Sequence, residues 1–188
     1  MKDIPKVGFI CTGESALELS GSICCAGRLM RLFTDNGYMT GGCYSCISPS
    51  KQISALREKI INMCVCNDVV VTVGCEGFRR EDVLPDIVSS LCQRDLAYFA
   101  SKLSGEEYID AERGHPCKCF PSRATAAMYG SAVVLNVSAD LPEALGKLTQ
   151  LMSAIDFAVG NCAGKKPSRQ GDFEKMLSQV SAGVGFHD

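Results

Sequence analysis

The sequence predicts an α/β protein, a three-layer α/β/α sandwich around a mostly parallel central sheet. Three observations point to it. Val69, Val70, Val71 and Val73 form a run without polar alternation, as expected of a strand buried on both faces of a parallel sheet. Segments of strand pattern alternate with segments of helix pattern along most of the chain, which implies βαβ units. Three candidate strands end in loops of special composition: Gly13-Glu14-Ser15, Gly74 to Gly77, and Asn136 to Asp140. In a parallel sheet these loops gather on one edge, where ligands of such folds bind.

Lys6 to Thr12 carries Val7, Phe9, Ile10 and Cys11 and reads as the first strand. A helix follows over Ser20 to Asn36, with Ile23, Ala26, Met30 and Phe33 on one face and Gly37 as its C′ residue. Tyr38 to Ile47 reads as a poorly patterned strand because of Gly41 and Gly42. Ser50 is the expected cap of a helix whose face is Ile53, Leu56, Ile60 and Met63. After the central strand, Pro85 suits the first turn of a helix bearing Ile87, Val88 and Leu91. Asp95 is the expected cap of another, with Leu96, Phe99, Ala100 and Leu103. The polar run Ser104 to Pro121 reads as a long loop, and Ser131 to Val137 as a strand. Asp140 with Glu143 three residues on is a capping box for a long helix carrying Ala144, Leu145, Leu148, Leu151, Met152 and Ile155. Residues 1–164 thus form the domain, and residues 165–188 a linker and a short helix with Phe173, Met176, Leu177 and Val180 on one face.

The 188 residues suffice for one domain with a substantial core. With 46% hydrophobic and 21% charged residues, the composition is that of a soluble globular chain. A formal charge of −2 offers no basic field for nucleic acid. No apolar run reaches membrane-span length and the N-terminus lacks a signal-peptide pattern. A cytoplasmic location is therefore expected, with the 12 cysteines as reduced thiols.

Strand, glycine turn, charged loop and helix start, as found from Asp68 to Pro85, is the layout of an anion site. This stretch resembles the Gly-Gly-Thr-Gly loop, with its following Arg-Asp-Val-Thr-Pro, of the molybdopterin adenylyltransferases and related molybdenum-cofactor biosynthesis proteins. Gly74, Gly77, Asp82, Val83 and Pro85 fall on that pattern, whereas Cys75, Glu76, Glu81 and Leu84 depart from it. Further matches follow in order over residues 5–160: Lys6-Val7-Gly8, Ser20-Gly21, Ile47-Ser48-Pro49, Ser122-Arg123-Ala124, Tyr129-Gly130 and Asn136.

The resemblance implies a protein that binds molybdopterin, with Mg-ATP as co-substrate if it transfers AMP, and a homo-oligomer, a trimer above all. It implies phosphate or ligand contacts from Gly74, Cys75, Glu76, Gly77, Ser122, Arg123, Asn136 and Ser138. It makes Asp82 the catalytic and metal-site acid, with Glu14 as a second magnesium ligand. Read without the family, Asp82 is an N-cap ahead of Pro85, Asn136 a turn former, Glu14 a solvated loop acid and Arg123 a surface or ion-paired cation.

Several departures touch chemistry. The family's acid after the loop proline is Ser50 here, a poor magnesium ligand. Glu76 sets a carboxylate where phosphate would approach, and like charges at about 4 Å repel by roughly 1 kcal/mol even in water. Cys75, unlike glycine, is expected to resist positive φ, and Ser138-Ala139 replace a Pro-Gly. Adenylyl transfer is therefore expected to be weak or lost. The alternatives are a non-catalytic carrier, sensor or assembly module, or a domain repurposed for another nucleotide, as in the competence-damage-inducible family. Cys43-x-x-Cys46, Cys64-x-Cys66 and Cys117-x-Cys119 raise the question of zinc, but cysteines spread through helices and strands alike favour packing, and His115 and His187 read as surface residues.

Overall fold

A computed structural model describes residues 4–91 and 93–165. The expected C-terminal helix lies outside them. The elements run β1 (Lys6–Gly13), α1 (Ala16–Asp35), β2 (Met39–Ile47), a 3-10 turn (Pro49–Lys51), α2 (Ile53–Cys66), β3 (Val69–Val73) and α3 (Leu84–Leu91). They continue with β4 (Arg94–Asp95), α4 (Ala97–Ser104), β5 (Glu107–Ile109), β6 (Pro116–Lys118), β7 (Ala126–Tyr129), β8 (Ala132–Val137) and α5 (Leu141–Ala163).

The central sheet has the order β2-β1-β3-β8-β7-β4. β2, β1, β3 and β8 are mutually parallel, and β7 and β4 add an antiparallel edge. The period of two divides β3 between the faces. Val69, Val71 and Val73 join Phe9, Leu135, α1, α4 and α5 in one core. Val70 joins Ile10, Val134, α2 and α3 in the other. All five residues of β3 are buried, so the valine run is the middle of a three-layer sandwich. On the α1 side, Phe33 packs edge-on against Phe9 and Tyr38, and the Tyr38 hydroxyl donates to Asp156 at 2.8 Å. Each such fully buried large side chain contributes about 1.5–3 kcal/mol. Among the described residues no helix is long and apolar enough to cross a membrane.

Local chemistry moves several boundaries. α1 starts at Ala16, four residues before Ser20, because Ser15 caps it: its hydroxyl accepts the Glu18 N–H at 3.2 Å. Glu18 reaches back to the Glu14 N–H at 2.9 Å, a capping box displaced by one residue. Ser50 does not cap α2; it sits in the 3-10 turn, and Gln52 precedes the helix with no side-chain cap. Asp95 belongs to β4 and Leu96 stands at the start of α4. The segment 104–121 is no plain loop, since β5 and β6 pair there as a hairpin. The α5 capping box is as read, with Asp140 accepting the Glu143 N–H at 3.0 Å.

Candidate functional site

The chain leaves β1 through α1 to β2 on one side, then returns through α2 to β3 on the other. The crevice at the carboxyl ends of β1 and β3 is therefore a topological switch point, the place where open α/β sheets bind ligands. A cleft of about 390 Å³ lies there. Thr12, Gly13, Glu18, Gly21, Ser22, Gly74, Cys75, Glu76, Gly77, Arg79, Asp82 and Ala139 line it.

The glycine turn is held from below. The Gly74 N–H donates to the Val137 carbonyl at 3.0 Å. Asn136, fully buried, donates from Nδ2 to Thr72 Oγ1 at 3.1 Å and to the Gly74 carbonyl at 3.3 Å, while its Oδ1 has no hydrogen-bond partner among the described residues. Thr12 Oγ1 donates to the Val73 carbonyl at 3.0 Å, and Ser22 Oγ to the Thr12 carbonyl at 2.7 Å. Gly74 has φ +93, and a Cβ there would stand 2.7 Å from both Ser22 Oγ and the Thr12 carbonyl. Cys75 adopts φ +52. The side chain thus does not prevent the left-handed conformation, which costs roughly 1–2 kcal/mol. Its thiol is buried beneath the turn, and burial pushes it up to about 11 although a Thr12 hydrogen bond acts the other way. It is no ready nucleophile at neutral pH.

Beyond the turn, Arg79 gathers the acids. Asp82, 3% exposed, accepts from the Arg79 N–H at 2.8 Å, from Nε at 3.3 Å and from Nη2 at 3.0 Å. Arg79 Nη1 meets Glu18 Oε1 at 3.0 Å, and this bond holds the Glu18 carboxyl below its ordinary range. Gly77 lets the carboxylate in, for a Cβ there would be 2.6 Å from Asp82 Oδ2. Glu76 goes the opposite way: desolvation pushes its carboxyl up against hydrogen bonds from its own N–H and from Ser138. The charged form of the acid expected to repel phosphate is thus disfavoured by its burial.

The other expected site residues, Glu14, Ser122, Arg123, Asn136 and Ser138, are not among the residues that line the cleft. Glu14 accepts the Ser50 N–H at Oε1, 2.9 Å away, and so closes the 3-10 turn. The Arg123 N–H donates to the Glu76 carbonyl at 2.8 Å, while its guanidinium pairs with Asp86 and reaches the Asp82 carbonyl at 3.4 Å. Ser122 Oγ accepts the Ala124 N–H at 3.3 Å, and Ser138 Oγ accepts the Asp140 N–H at 3.1 Å. Sequence reasoning missed Thr12, Ser22 and Glu18 as wall residues. Ser15 to Glu18, spaced as a capping box, was the available signal for Glu18; nothing in the sequence marked Thr12 or Ser22.

Comparison with solved structures adds a second line. The molybdopterin biosynthesis enzyme MoaB of Thermus thermophilus superposes with a TM-score of 0.70 at 14% identity, over 88% of this chain and 100% of that one. This chain has the fold of the molybdopterin biosynthesis proteins. A molybdopterin biosynthesis protein of Mycobacterium abscessus superposes at 0.64 with 20% identity, over 83% and 95% of the two chains. CinA of Thermoplasma acidophilum, described as of unknown function, does so at 0.57 with 12% identity, over 81% and 98%. No family model and no curated protein matches the sequence.

The magnesium that the resemblance implies does not fit these residues. Mg²⁺ demands near-octahedral oxygen ligands and is commonly held by one or two carboxylates plus substrate phosphates. Asp82 is already committed to Arg79, Glu14 to the Ser50 amide, and Ser50 brings no carboxylate.

Proposed function

We propose that this chain is a molybdenum-cofactor biosynthesis protein that binds a phosphate-bearing pterin of the molybdopterin class in the switch-point cleft without transferring AMP to it efficiently. The observation that carries this reading is the pairing of Arg79 with Asp82 inside the cleft. The carboxylate that would hold a nucleotide-bound metal is neutralised by the chain's own guanidinium. A single phosphate monoester asks less of the site. The glycine turn and the helix α1 N-terminal region can meet it by hydrogen bonding.

Pterin binding depends on the cleft's shape and amides; adenylyl transfer would further require preorganised positive charge where the phosphates meet. Calorimetry on the reduced protein with molybdopterin, ATP and Mg-ATP tests both parts. Pterin binding with no magnesium-dependent gain for ATP is the expected result. Magnesium-dependent nucleotide binding without pterin binding would favour the repurposed-nucleotide reading instead. Homotrimer assembly belongs to the same reading, with exposed Leu17 on α1 and Phe157 on α5 as apolar surface for it. Light scattering that finds a monomer at micromolar concentration would remove it.

A further inference from the structure

The hairpin β5–β6 holds a group of side chains that the cleft does not use. Asp110, His115 and Cys117 each bring one ligand atom within 4.8 Å of the others. Cys117 Sγ and His115 Nδ1 are 3.3 Å apart. Around a tetrahedral zinc, with sulfur at about 2.3 Å and nitrogen at about 2.0 Å, two such ligands stand about 3.5 Å from each other. The pair is therefore already close to one edge of a coordination tetrahedron, and the Asp110 carboxylate supplies a third corner.

We propose that Asp110, His115 and Cys117 form a binding site for a zinc-class divalent transition metal, with the fourth coordination position open to water or an outside ligand. One oxygen, one imidazole nitrogen and one thiolate sulfur suit zinc, cobalt or nickel and disfavour magnesium and calcium, which take oxygen alone. Three protein ligands with water or substrate in the fourth position is the arrangement of catalytic rather than closed structural zinc sites.

The hairpin is built to hold these atoms in place. The Asp110 N–H donates to the His115 carbonyl at 3.0 Å, and the Gly114 N–H to the Asp110 carbonyl at 2.8 Å. Gly114 has φ +70, which lets the chain turn between the ligands. Asp110 Oδ1 accepts the N–H groups of Glu112 at 2.9 Å and Arg113 at 2.7 Å; the carboxylate carries a second oxygen for a metal. Tyr108 stands opposite Cys117 in the ladder, so its side chain shares the sulfur's face of the hairpin. The hairpin itself is seated on α5: a Cβ at Gly146 would lie 2.3 Å from the Ile109 carbonyl. Arg28 on α1 ties Glu112 at 3.0 Å. His115 Nδ1 also lies 3.4 Å from the Pro116 carbonyl, a contact at the long limit of hydrogen bonding, so a metal would displace little. Cys119, the other half of the Cys-x-Cys pair, contacts the Gly105 carbonyl at 3.3 Å.

The test is titration of the reduced, metal-free full chain with Co²⁺, followed by Zn²⁺. The expected result is one Co²⁺ per chain, giving thiolate-to-cobalt charge transfer and the intense visible bands of a tetrahedral ion, both removed by Zn²⁺. Cys117→Ser should abolish the charge-transfer band. His115→Gln and Asp110→Asn should each weaken binding ~10-fold or more, at least the loss that an outer partner causes. Cys119→Ser should leave the spectrum intact. His115 is exposed, so His115→Gln keeps the test valid even if Cys117→Ser disturbs the hairpin. No charge-transfer band in the wild type, or a band that survives both Cys117→Ser and His115→Gln, would overturn the assignment.

Discussion

Arg79 and Asp82 bind each other through three hydrogen bonds, two from the guanidinium and one from the Arg79 backbone N–H. Asp82 is buried while the Arg79 side chain is 56% exposed, so the carboxylate is the member that cannot find water if the pair breaks. Hydrogen bonds to charged groups are worth about 1.5–3 kcal/mol. Arg79→Ala leaves that carboxylate buried with only the Arg79 backbone N–H to serve it and should therefore destabilise the protein by about 2 kcal/mol, and Asp82→Ala by less, since the freed guanidinium can be solvated. Urea unfolding of both variants checks the order. Equal losses would mean that water reaches Asp82 once the guanidinium is gone.

Glu76 makes stability depend on pH in a direction opposite to that of an ion-paired acid. Desolvation raises its carboxyl in the folded chain. The folded state then holds a proton that the unfolded state has released. Its favourable contribution is complete below the unfolded value, about 4.3 for glutamate. It is lost as pH rises from there through the raised folded value. Glu76→Gln should flatten this fall and be the more stable protein at neutral pH. Chemical denaturation of both proteins at several pH values decides it; parallel curves would place Glu76 in water.

Gly74 tests the turn itself. At φ +93 an L-residue is strained whatever the space, and here its Cβ would also press on Ser22 Oγ and the Thr12 carbonyl. Strain of this kind costs of order 1–3 kcal/mol. Gly74→Ala should lose about 2 kcal/mol and weaken pterin binding, because the β1 and β3 ends must part to admit the methyl group. Retained stability with lost binding would locate the effect in the ligand contact alone.

How much of this was legible in the sequence depends on how local the cause is. The valine run of β3 and the capping box at Asp140 and Glu143 declare themselves within a few residues, and both stand where the sequence puts them. The Ser15 to Glu18 box is equally local, and it starts α1 at Ala16, ahead of the Ser20-Gly21 pair that the resemblance sets before the helix. β5, β6 and β4 have two or three residues each and no apolar alternation; only the docking of Ile109 against Gly146 reveals the hairpin. The gathering of three loops at one sheet edge followed from parallel pairing. What those loops do with their charges did not. That Glu76 is desolvated and that Arg79 is spent on Asp82 and Glu18 depend on contacts made across 61 residues of chain in the case of Glu18.

The Arg79 pair also sets the last expectation, for nucleotide chemistry. Wild-type protein should show little or no magnesium-dependent AMP transfer to molybdopterin, because a Mg²⁺ ion has to displace a guanidinium from Asp82 before it can bind. Arg79→Ala removes that competitor and leaves Asp82 beside Glu18, with one positive charge fewer in the cleft. Magnesium affinity should then rise. At an effective dielectric typical of partly exposed pairs, a charge at about 4 Å is worth up to about 4 kcal/mol. Even a third of that is about tenfold in affinity. Mg-ATP binding measured by calorimetry should therefore strengthen in Arg79→Ala, with binding of ATP alone unchanged or weaker. If Arg79 instead serves the phosphates directly, the variant loses affinity for ATP with and without magnesium. Robust magnesium-dependent AMP transfer by the wild type, abolished by Asp82→Asn, would mean that the ion does reach Asp82 and that the pair opens in the working protein.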